Sequence, residues 1–217
     1  MTLTCGIDEA GRGPVIGPLV TCGVVLDEEG EKMLKELGVK DSKLILPKKR
    51  EQLMEHIIKI AKSYEVVILS PKEIDAALAD PGTNLNWLEA DTTAKIINTL
   101  KPERAIVDCP SNNIKAYTDY LRRKLNVECE LVVEHKADLN HIPAAAGSII
   151  AKVTRDREID KIKQKVGKDI GSGYPADPIT KEFLQKNYDK YPGIFRKSWQ
   201  TYKNVIAKKQ QKELGDF

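Results

Sequence analysis

Apolar and polar positions alternate along the chain in two periods, near 2 and near 3.6, and the switches between them predict the elements. Leu3-Thr4-Cys5-Gly6-Ile7 reads as a short strand that ends in Asp8-Glu9. Leu19 to Leu26, rich in Val and Thr, predicts a second strand, and Asp27-Glu28-Glu29-Gly30 turns it into a short helix ending near Leu37-Gly38. Pro47 opens a helix to about Ser63, with Leu53, Ile57, Ile60 and Ala61 on its apolar stripe. Glu65 to Leu69 reads as a third strand; Ser70-Pro71 caps a short helix to Leu78, Pro81-Gly82 breaks it, and a longer helix follows from Asn84 to Leu100. Arg104 to Cys109 and Glu128 to Val133 predict the fourth and fifth strands, separated by a helix from Asn113 to Leu125. The rest reads as helix: Ala144 to Val166, Asp177-Pro178 to Lys190, and an amphipathic segment from Trp199 to Leu214.

Two strands in succession, then strands alternating with helices, predict an α/β fold: a mixed five-stranded sheet flanked by helices, with a small helical C-terminal region. The expected boundary divides residues 1–170 from 171–217. Ligands in such sheets bind at strand ends. A chain of 217 residues suits one sizeable core with an appendage. No apolar run approaches the roughly 18 residues that a membrane helix needs, and with a strand at the N-terminus no secretory leader is expected. The cysteines, Cys5, Cys22, Cys109 and Cys129, form no C-x-x-C pair. They read as small buried residues of a reducing compartment. A cytoplasmic monomer is expected.

Charge changes the picture. The net value is only +3, yet residues 150–217 carry 16 Lys and Arg against 9 Asp and Glu, a net of +7, and the preceding part carries a net of −4. A basic C-terminal third beside an acidic body suits a polyanionic partner; solvated helix faces would give the same asymmetry.

Against that background the first turn stands out. An apolar strand delivers Asp8 and Glu9 into Ala10-Gly11-Arg12-Gly13-Pro14. Glycines without a Cβ let backbone N–H groups approach a ligand, and Arg12 supplies a donor fork suited to phosphate. A dinucleotide-binding turn fails on spacing, G-x-G-x-x-x-G in place of G-x-G-x-x-G. A metal site feeding a phosphate-binding loop needs further acids, and two other strands supply them: Asp108 ends the run Ala105-Ile106-Val107, and Asp138 follows the fifth strand. Oxygen donors alone select a hard cation, Mg²⁺ or Mn²⁺. Two such ions about 3.5–4 Å apart would clamp an in-line phosphoryl displacement. Asp138 also reads as a helix cap. His56 reads as structural, and His135 and His141 flank Asp138 with at most an indirect part in the site.

These residues together resemble the ribonuclease HII family, also called type 2 ribonuclease H; the short C-terminal region resembles the archaeal form, or the catalytic subunit of the eukaryotic enzyme, more than the bacterial one. Five ordered blocks carry the resemblance: Gly6 to Pro14, Asp41-Ser42-Lys43, Val107-Asp108, Lys136-Ala137-Asp138 with Ser148 to Val153 and Arg155-Asp156, and Gly171 to Pro175. The chain departs at Gly147, where the family usually has alanine, and Pro143 is shifted by one position. The resemblance implies a ribonuclease H-like fold and an endonuclease that cuts the RNA strand of RNA–DNA hybrids and DNA with embedded ribonucleotides, leaving 5′-phosphate and 3′-hydroxyl ends. It implies that Asp8, Glu9, Asp108 and Asp138 are the catalytic, metal-binding acids. It implies that Gly11, Arg12 and Gly13 sense the ribose 2′-hydroxyl, that Tyr174 packs on the sugar at the DNA side of the junction, and that Ser42, Lys43, Ser148 and Lys152 line the substrate groove.

The C-terminal Gln211, Leu214 and Phe217 repeat the spacing Q-x-x-L-x-x-F, which resembles tails that bind sliding clamps. Readings of other classes are a different metal-dependent nuclease or phosphotransfer enzyme on a related sheet, a non-catalytic hybrid-binding module, and a structural subunit of a larger nuclease. A pure binder gains nothing from carboxylates clustered near phosphate.

Overall fold

The structure is a computed structural model that describes residues 2–39 and 45–215. Ser42, Lys43 and Phe217 lie outside the described residues, as does the side chain of Leu214.

Five strands form one mixed sheet in the order β3-β2-β1-β4-β5: β1 (Thr4–Ala10), β2 (Leu19–Leu26), β3 (Ser63–Leu69), β4 (Arg104–Asp108) and β5 (Glu130–Glu134). β1 pairs antiparallel with β2 and parallel with β4, and β4 pairs parallel with β5. β2 is buried along its whole length, which is why it reads as a continuous apolar run. The helices are α1 (Glu28–Glu36), α2 (Pro47–Ile60), α3 (Pro71–Leu78), α4 (Leu85–Leu100), α5 (Ile114–Lys124), α6 (Ala137–Asn140), α7 (Ile142–Val166), α8 (Pro178–Asn187) and α9 (Gln200–Gly215). No helix among the described residues is long and apolar enough to cross a membrane.

The caps legible in the sequence set the helix starts. The Asp27 carboxylate accepts from Gly30 N–H at 2.9 Å, Ser70 and Glu73 form a reciprocal capping box, and Asp177 accepts from Ile179 N–H. Pro143 falls in the first turn of α7, where its missing N–H costs nothing. Two differences from expectation bear on function. β1 continues past Ile7 to Ala10, because Asp8, Glu9 and Ala10 pair with Cys22, Thr21 and Val20. The single turn α6, absent from the sequence reading, carries Asp138.

The chain divides into two compact units. The first comprises Met1–Ala10, Val20–Ile68 and Asn84–Thr154, the second Gly11–Leu19, Leu69–Thr83 and Arg155–Phe217. This departs from the expected division at residue 170. The reason is apolar area: the tail alone has too little to form a core. Val15 and Ile16 of the glycine loop and Ile159 and Val166 of α7 join Ile170, Phe183, Leu184, Phe195 and Tyr202 in one buried cluster. Phe195 lies between Phe183 and Tyr202, with ring centroids 6.1 Å and 5.8 Å away.

Within the first unit, even-numbered β2 residues (Val20, Cys22, Val24, Leu26) pack with Leu34 of α1, Leu53 and Ile57 of α2 and Ala145, Ala146 and Ile149 of α7. The opposite face of the sheet carries α4, whose Ile96 and Leu100 lie against Gly23. α7 approaches the sheet so closely that glycine is required at the crossing. A Cβ on Gly6 would lie 1.9 Å from the Pro143 carbonyl carbon, and one on Gly147 would lie 2.9 Å from Cys22 O and 3.0 Å from Gly6 O. The departure at Gly147 is thus a point of backbone contact.

Gly6→Ala is expected to destabilise the protein by at least about 3 kcal/mol, because backbone must move. Gly193→Ala, where an added Cβ meets nothing within 4 Å, is expected to change stability by less than about 0.5 kcal/mol. Urea unfolding of both variants checks the contrast.

Candidate active site

Pairing of β1 with β4 decides which acids meet. The parallel register places Gly6 opposite Ile106 and Ile7 opposite Val107, so the next residues along, Asp8 and Asp108, are neighbours on one face. That face is the one that meets α7, since Gly6 lies against Pro143 and Ala144. Strand alternation sends Glu9 to the opposite face. Asp8 is only 5% exposed. It is surrounded by groups that answer its charge: Glu9 N–H donates to Asp8 Oδ1 at 2.7 Å, the Ser148 hydroxyl is hydrogen-bonded to it, and Lys152 Nζ lies 3.9 Å from Oδ2. Lys152 and Ser148 are one helical turn apart on α7 and are themselves hydrogen-bonded.

Asp138 reaches the same neighbourhood through α6. Ala137 N–H donates to Asp108 Oδ1 at 3.0 Å, and Asn140 Nδ2 donates to Glu134 Oε1 at 2.8 Å. The turn that carries Asp138 is therefore tied at one end to β4 and at the other to β5. Lys136, which precedes it, adopts the left-handed conformation with φ 60°. His135 Nδ1 lies 3.0 Å from Cys109 O, and His141 Nε2 lies 3.2 Å from Glu134 Oε1. Both histidines thus brace the turn. Glu134 was not singled out in the sequence; it pairs with Asp108 in the β4–β5 register, and its signal was that it ends a strand as Asp108 does.

Burial pushes the Asp8 carboxyl up to about 6; the Asp108 charge adds to this, while Lys152, Ser148 and Glu9 N–H oppose it. Among the described residues no three His, Cys, Asp or Glu side chains are close enough to hold an ion as a ready-made cage. The sheet itself gives the reason: neighbouring strands are about 4.8 Å apart, and adjacent residues of one strand face opposite ways. The donor set still fits a hard cation. Mg²⁺ is ordinarily held by one or two carboxylates together with water and substrate phosphate oxygens, and a cation beside Asp8 and Asp108 would offset two neighbouring negative charges. The cysteines are free of disulfides; Cys5, Cys22 and Cys109 are buried, and burial pushes the thiols of Cys5 and Cys22 up.

The chain passes from Ala10 directly into the glycine loop of the second unit. Gly11 has φ 89° and Gly17 φ 87°, and a Cβ on Gly11 would meet Arg155 at 2.6 Å and Pro18 O at 2.7 Å. The loop is held from beneath. Gly173 O accepts from Val15 N–H at 2.8 Å and Ile16 N–H at 3.2 Å. Arg196, fully buried, donates from Nη2 to Gly11 O at 2.6 Å, from Nη1 to Arg12 O at 3.1 Å and from Nε to Gly17 O at 2.9 Å. Trp199 Nε1–H donates to Gly13 O at 3.2 Å, and its ring lies 4.7 Å from the Arg196 guanidinium carbon. Tyr174 is 42% exposed. Its ring would touch a Cβ on Gly13 at 3.5 Å, and Arg155 sits 5.2 Å over it while donating to Ser172 O at 3.1 Å. The structure therefore places Tyr174 beside Gly13. Arg155 entered the sequence reading only inside a matched block, and Arg196 and Trp199 escaped it as site residues, because a side chain that serves backbone carbonyls leaves no periodic or paired signal.

The raised Asp8 carboxyl has a testable sign. Folded Asp8 holds its proton more tightly than an unfolded aspartate, whose pKa is about 3.9. Stability from this group is therefore present at low pH and is lost as pH rises from about 4 through 6. In chelator, the stability of Asp8→Asn relative to the unaltered chain is expected to rise across that window by up to about 3 kcal/mol. Denaturant unfolding at pH 4, 5, 6 and 7 measures it; parallel profiles for the two proteins would remove Asp8 as the strained group.

Comparison with known proteins shows the family. The family model for ribonuclease HII matches residues 5–202. Ribonuclease HII of Thermococcus sibiricus is 46% identical over 213 residues, spanning 96% of this chain and 93% of that protein. The crystal structure of ribonuclease H2 from Pyrococcus horikoshii OT3 superposes with a TM-score of 0.87 at 43% identity, covering 95% of this chain and 98% of that one. Ribonuclease HII in the PCNA complex from Archaeoglobus fulgidus superposes with a TM-score of 0.83 at 42% identity, covering 91% and 95%. The chain belongs to the ribonuclease HII family and is an endoribonuclease that acts on the RNA strand of RNA–DNA hybrids.

Proposed function

We propose that this enzyme also cuts duplex DNA on the 5′ side of a single embedded ribonucleotide, and that all its cuts leave 5′-phosphate and 3′-hydroxyl ends. The observation that carries this reading is the placing of Asp8 beside Asp108, with the Asp138 turn tied to Asp108, on a strand that runs three residues later into a glycine loop. Asp8, Asp108 and Asp138 would hold divalent cations, Mg²⁺ or Mn²⁺, and Glu9, turned to the other face of β1, would serve them through its N–H on Asp8. Such ions, when bound in a pair, activate water and stabilise the leaving 3′-oxygen. The protein's own work is positional. Asp108 fixes the Asp138 turn, Ser148 and Lys152 hold the Asp8 charge in place, and a phosphate brought to Asp8 meets Lys152 as well. Gly11, Arg12 and Gly13 read the ribose 2′-hydroxyl through backbone amides, since that group alone separates RNA from DNA at a given site. Tyr174, seated on Gly13, packs against the neighbouring sugar. The engagement of His135 and His141 with Cys109 and Glu134 supports a mechanism without a histidine base. Free, buried cysteines support the cytoplasm as its place, and it acts there as a monomer.

A second proposal concerns the tail. The Archaeoglobus fulgidus relative is known in a complex with PCNA. α9 runs to Gly215 with Gln211 exposed. We propose that Gln211, Leu214 and Phe217 dock on a sliding clamp.

Asp108→Asn is expected to fold, since an amide oxygen can still accept from Ala137 N–H. On a duplex with one ribonucleotide in Mg²⁺ it should lose more than about 100-fold in kcat, while hybrid affinity, set mainly by basic groups and phosphate, stays within about threefold. Near-normal turnover would remove Asp108 from the catalytic set, and an intact ribonucleotide after incubation with the unaltered enzyme would overturn the junction reading. For the tail, calorimetric titration against the sliding clamp of the source organism should show binding by the full chain and none by a chain lacking Gln211 to Phe217. Equal behaviour of the two would refute docking.

A further inference from the structure

We propose that Arg196 sets the enzyme's discrimination for ribonucleotides by holding the peptide units of Gly11, Arg12 and Gly13 in the one orientation that presents two amide donors to a 2′-hydroxyl. The proposal rests on the reading of that loop as the 2′-hydroxyl sensor and adds the residue that makes it one.

The argument begins with a cost. Arg196 is fully exposed to protein and not at all to solvent, and among the described residues its guanidinium pairs with no carboxylate. Three carbonyl oxygens, those of Gly11, Arg12 and Gly17, receive its protons. Burial and the nearby Arg155 charge push its pKa down to about 9. A buried cation without a counter-ion is an expensive way to stabilise a fold, and well-packed apolar side chains often do as well or better. Its return is geometric. Only a planar fork reaches carbonyls on three separate peptide units at once; a lysine ammonium on a flexible stem does not.

The consequence follows from peptide geometry. A trans peptide unit is planar, with its C=O and N–H on opposite sides. Gly11 O and Arg12 O are drawn inward to the guanidinium, so the N–H groups of Arg12 and Gly13, which belong to those same two units, face the other way. The next unit is held too, by Trp199 Nε1–H on Gly13 O, and its nitrogen belongs to Pro14, which has no N–H. The loop thus offers two adjacent donors and then stops. The guanidinium behind them polarises both units and strengthens both donors. A ribose hydroxyl oxygen can accept from the pair. A deoxyribose brings no oxygen to those N–H groups, and a site built around a hydroxyl rejects the analogue lacking it.

The test compares binding of two duplexes in Ca²⁺, identical except that one carries a single ribonucleotide, by fluorescence anisotropy with the full chain. The quantity read is the ratio of the two Kd values. Arg196→Lys keeps the charge and loses the fork. It is expected to lower the ratio at least about tenfold and to leave the Kd for the all-DNA duplex within about threefold. Trp199→Phe keeps the ring beneath the guanidinium and loses one donor to the loop, and is expected to lower the ratio about threefold. Should Arg196→Lys fail to fold, Trp199→Phe decides alone. An unchanged ratio in either folded variant, or equal weakening for both duplexes, reduces Arg196 to a structural support and overturns the proposal. A ratio of one in the unaltered enzyme is a different result: it removes the loop as the 2′-hydroxyl sensor before Arg196 is considered.

Discussion

Two carboxylates on neighbouring strands repel one another, and most of this fold's first unit can be understood as the means of holding them there. The parallel register of β1 and β4 places Asp8 beside Asp108, at the strand spacing of about 4.8 Å. Asp8 is buried and its acidity is weakened accordingly. Around the pair the chain arranges donors: Glu9 N–H, Ser148 and Lys152 for Asp8, and Ala137 N–H for Asp108. The donors from α7 reach Asp8 because Gly6 and Gly147 let that helix come down onto the sheet. A site strained in this way is one that a divalent cation would relieve, so in the proposed function metal affinity and local strain would have one origin.

The second unit answers a different demand. In the proposed function its loop presents backbone, not side chains, and backbone is aimed by whatever holds its carbonyls. Arg196, Trp199 and Gly173 fill that role, with Gly11 and Gly17 supplying positive φ at the bends. In the proposed function, chemistry at the phosphate would rest on Asp8 and Asp108 of the first unit, and recognition of the sugar on the loop that begins at Gly11 of the second.

What could be read from the sequence follows the range of the interactions involved. Asp8 and Asp108 were legible because an apolar run ending in an acid is a local signal, and the mixed sheet followed from two successive strands and then alternation with helices. Helix starts at Asp27, Ser70 and Asp177 were legible because caps act within three residues. Three kinds of feature were not. The opposite facing of Asp8 and Glu9 depends on β1 continuing to Ala10, which only pairing with β2 decides. The α6 turn is held by Asp108 and Glu134, residues on two other strands. The division into units follows apolar side chains of Val15, Ile16 and Ile159 that each look ordinary in their own segment. Arg196 is the extreme case, since its partners lie about 180 residues earlier.

The central claim is that Asp8 and Asp108 together are the seat of the metal. Crystals grown with Mn²⁺ and an uncleavable hybrid, measured at a wavelength where manganese scatters anomalously, test it directly. The account predicts an anomalous peak at about 2.1–2.2 Å from oxygens of both carboxylates, with substrate phosphate completing its ligands. Peaks held by other carboxylates, with Asp8 still on Lys152 and Asp108 still on Ala137 N–H alone, would contradict it.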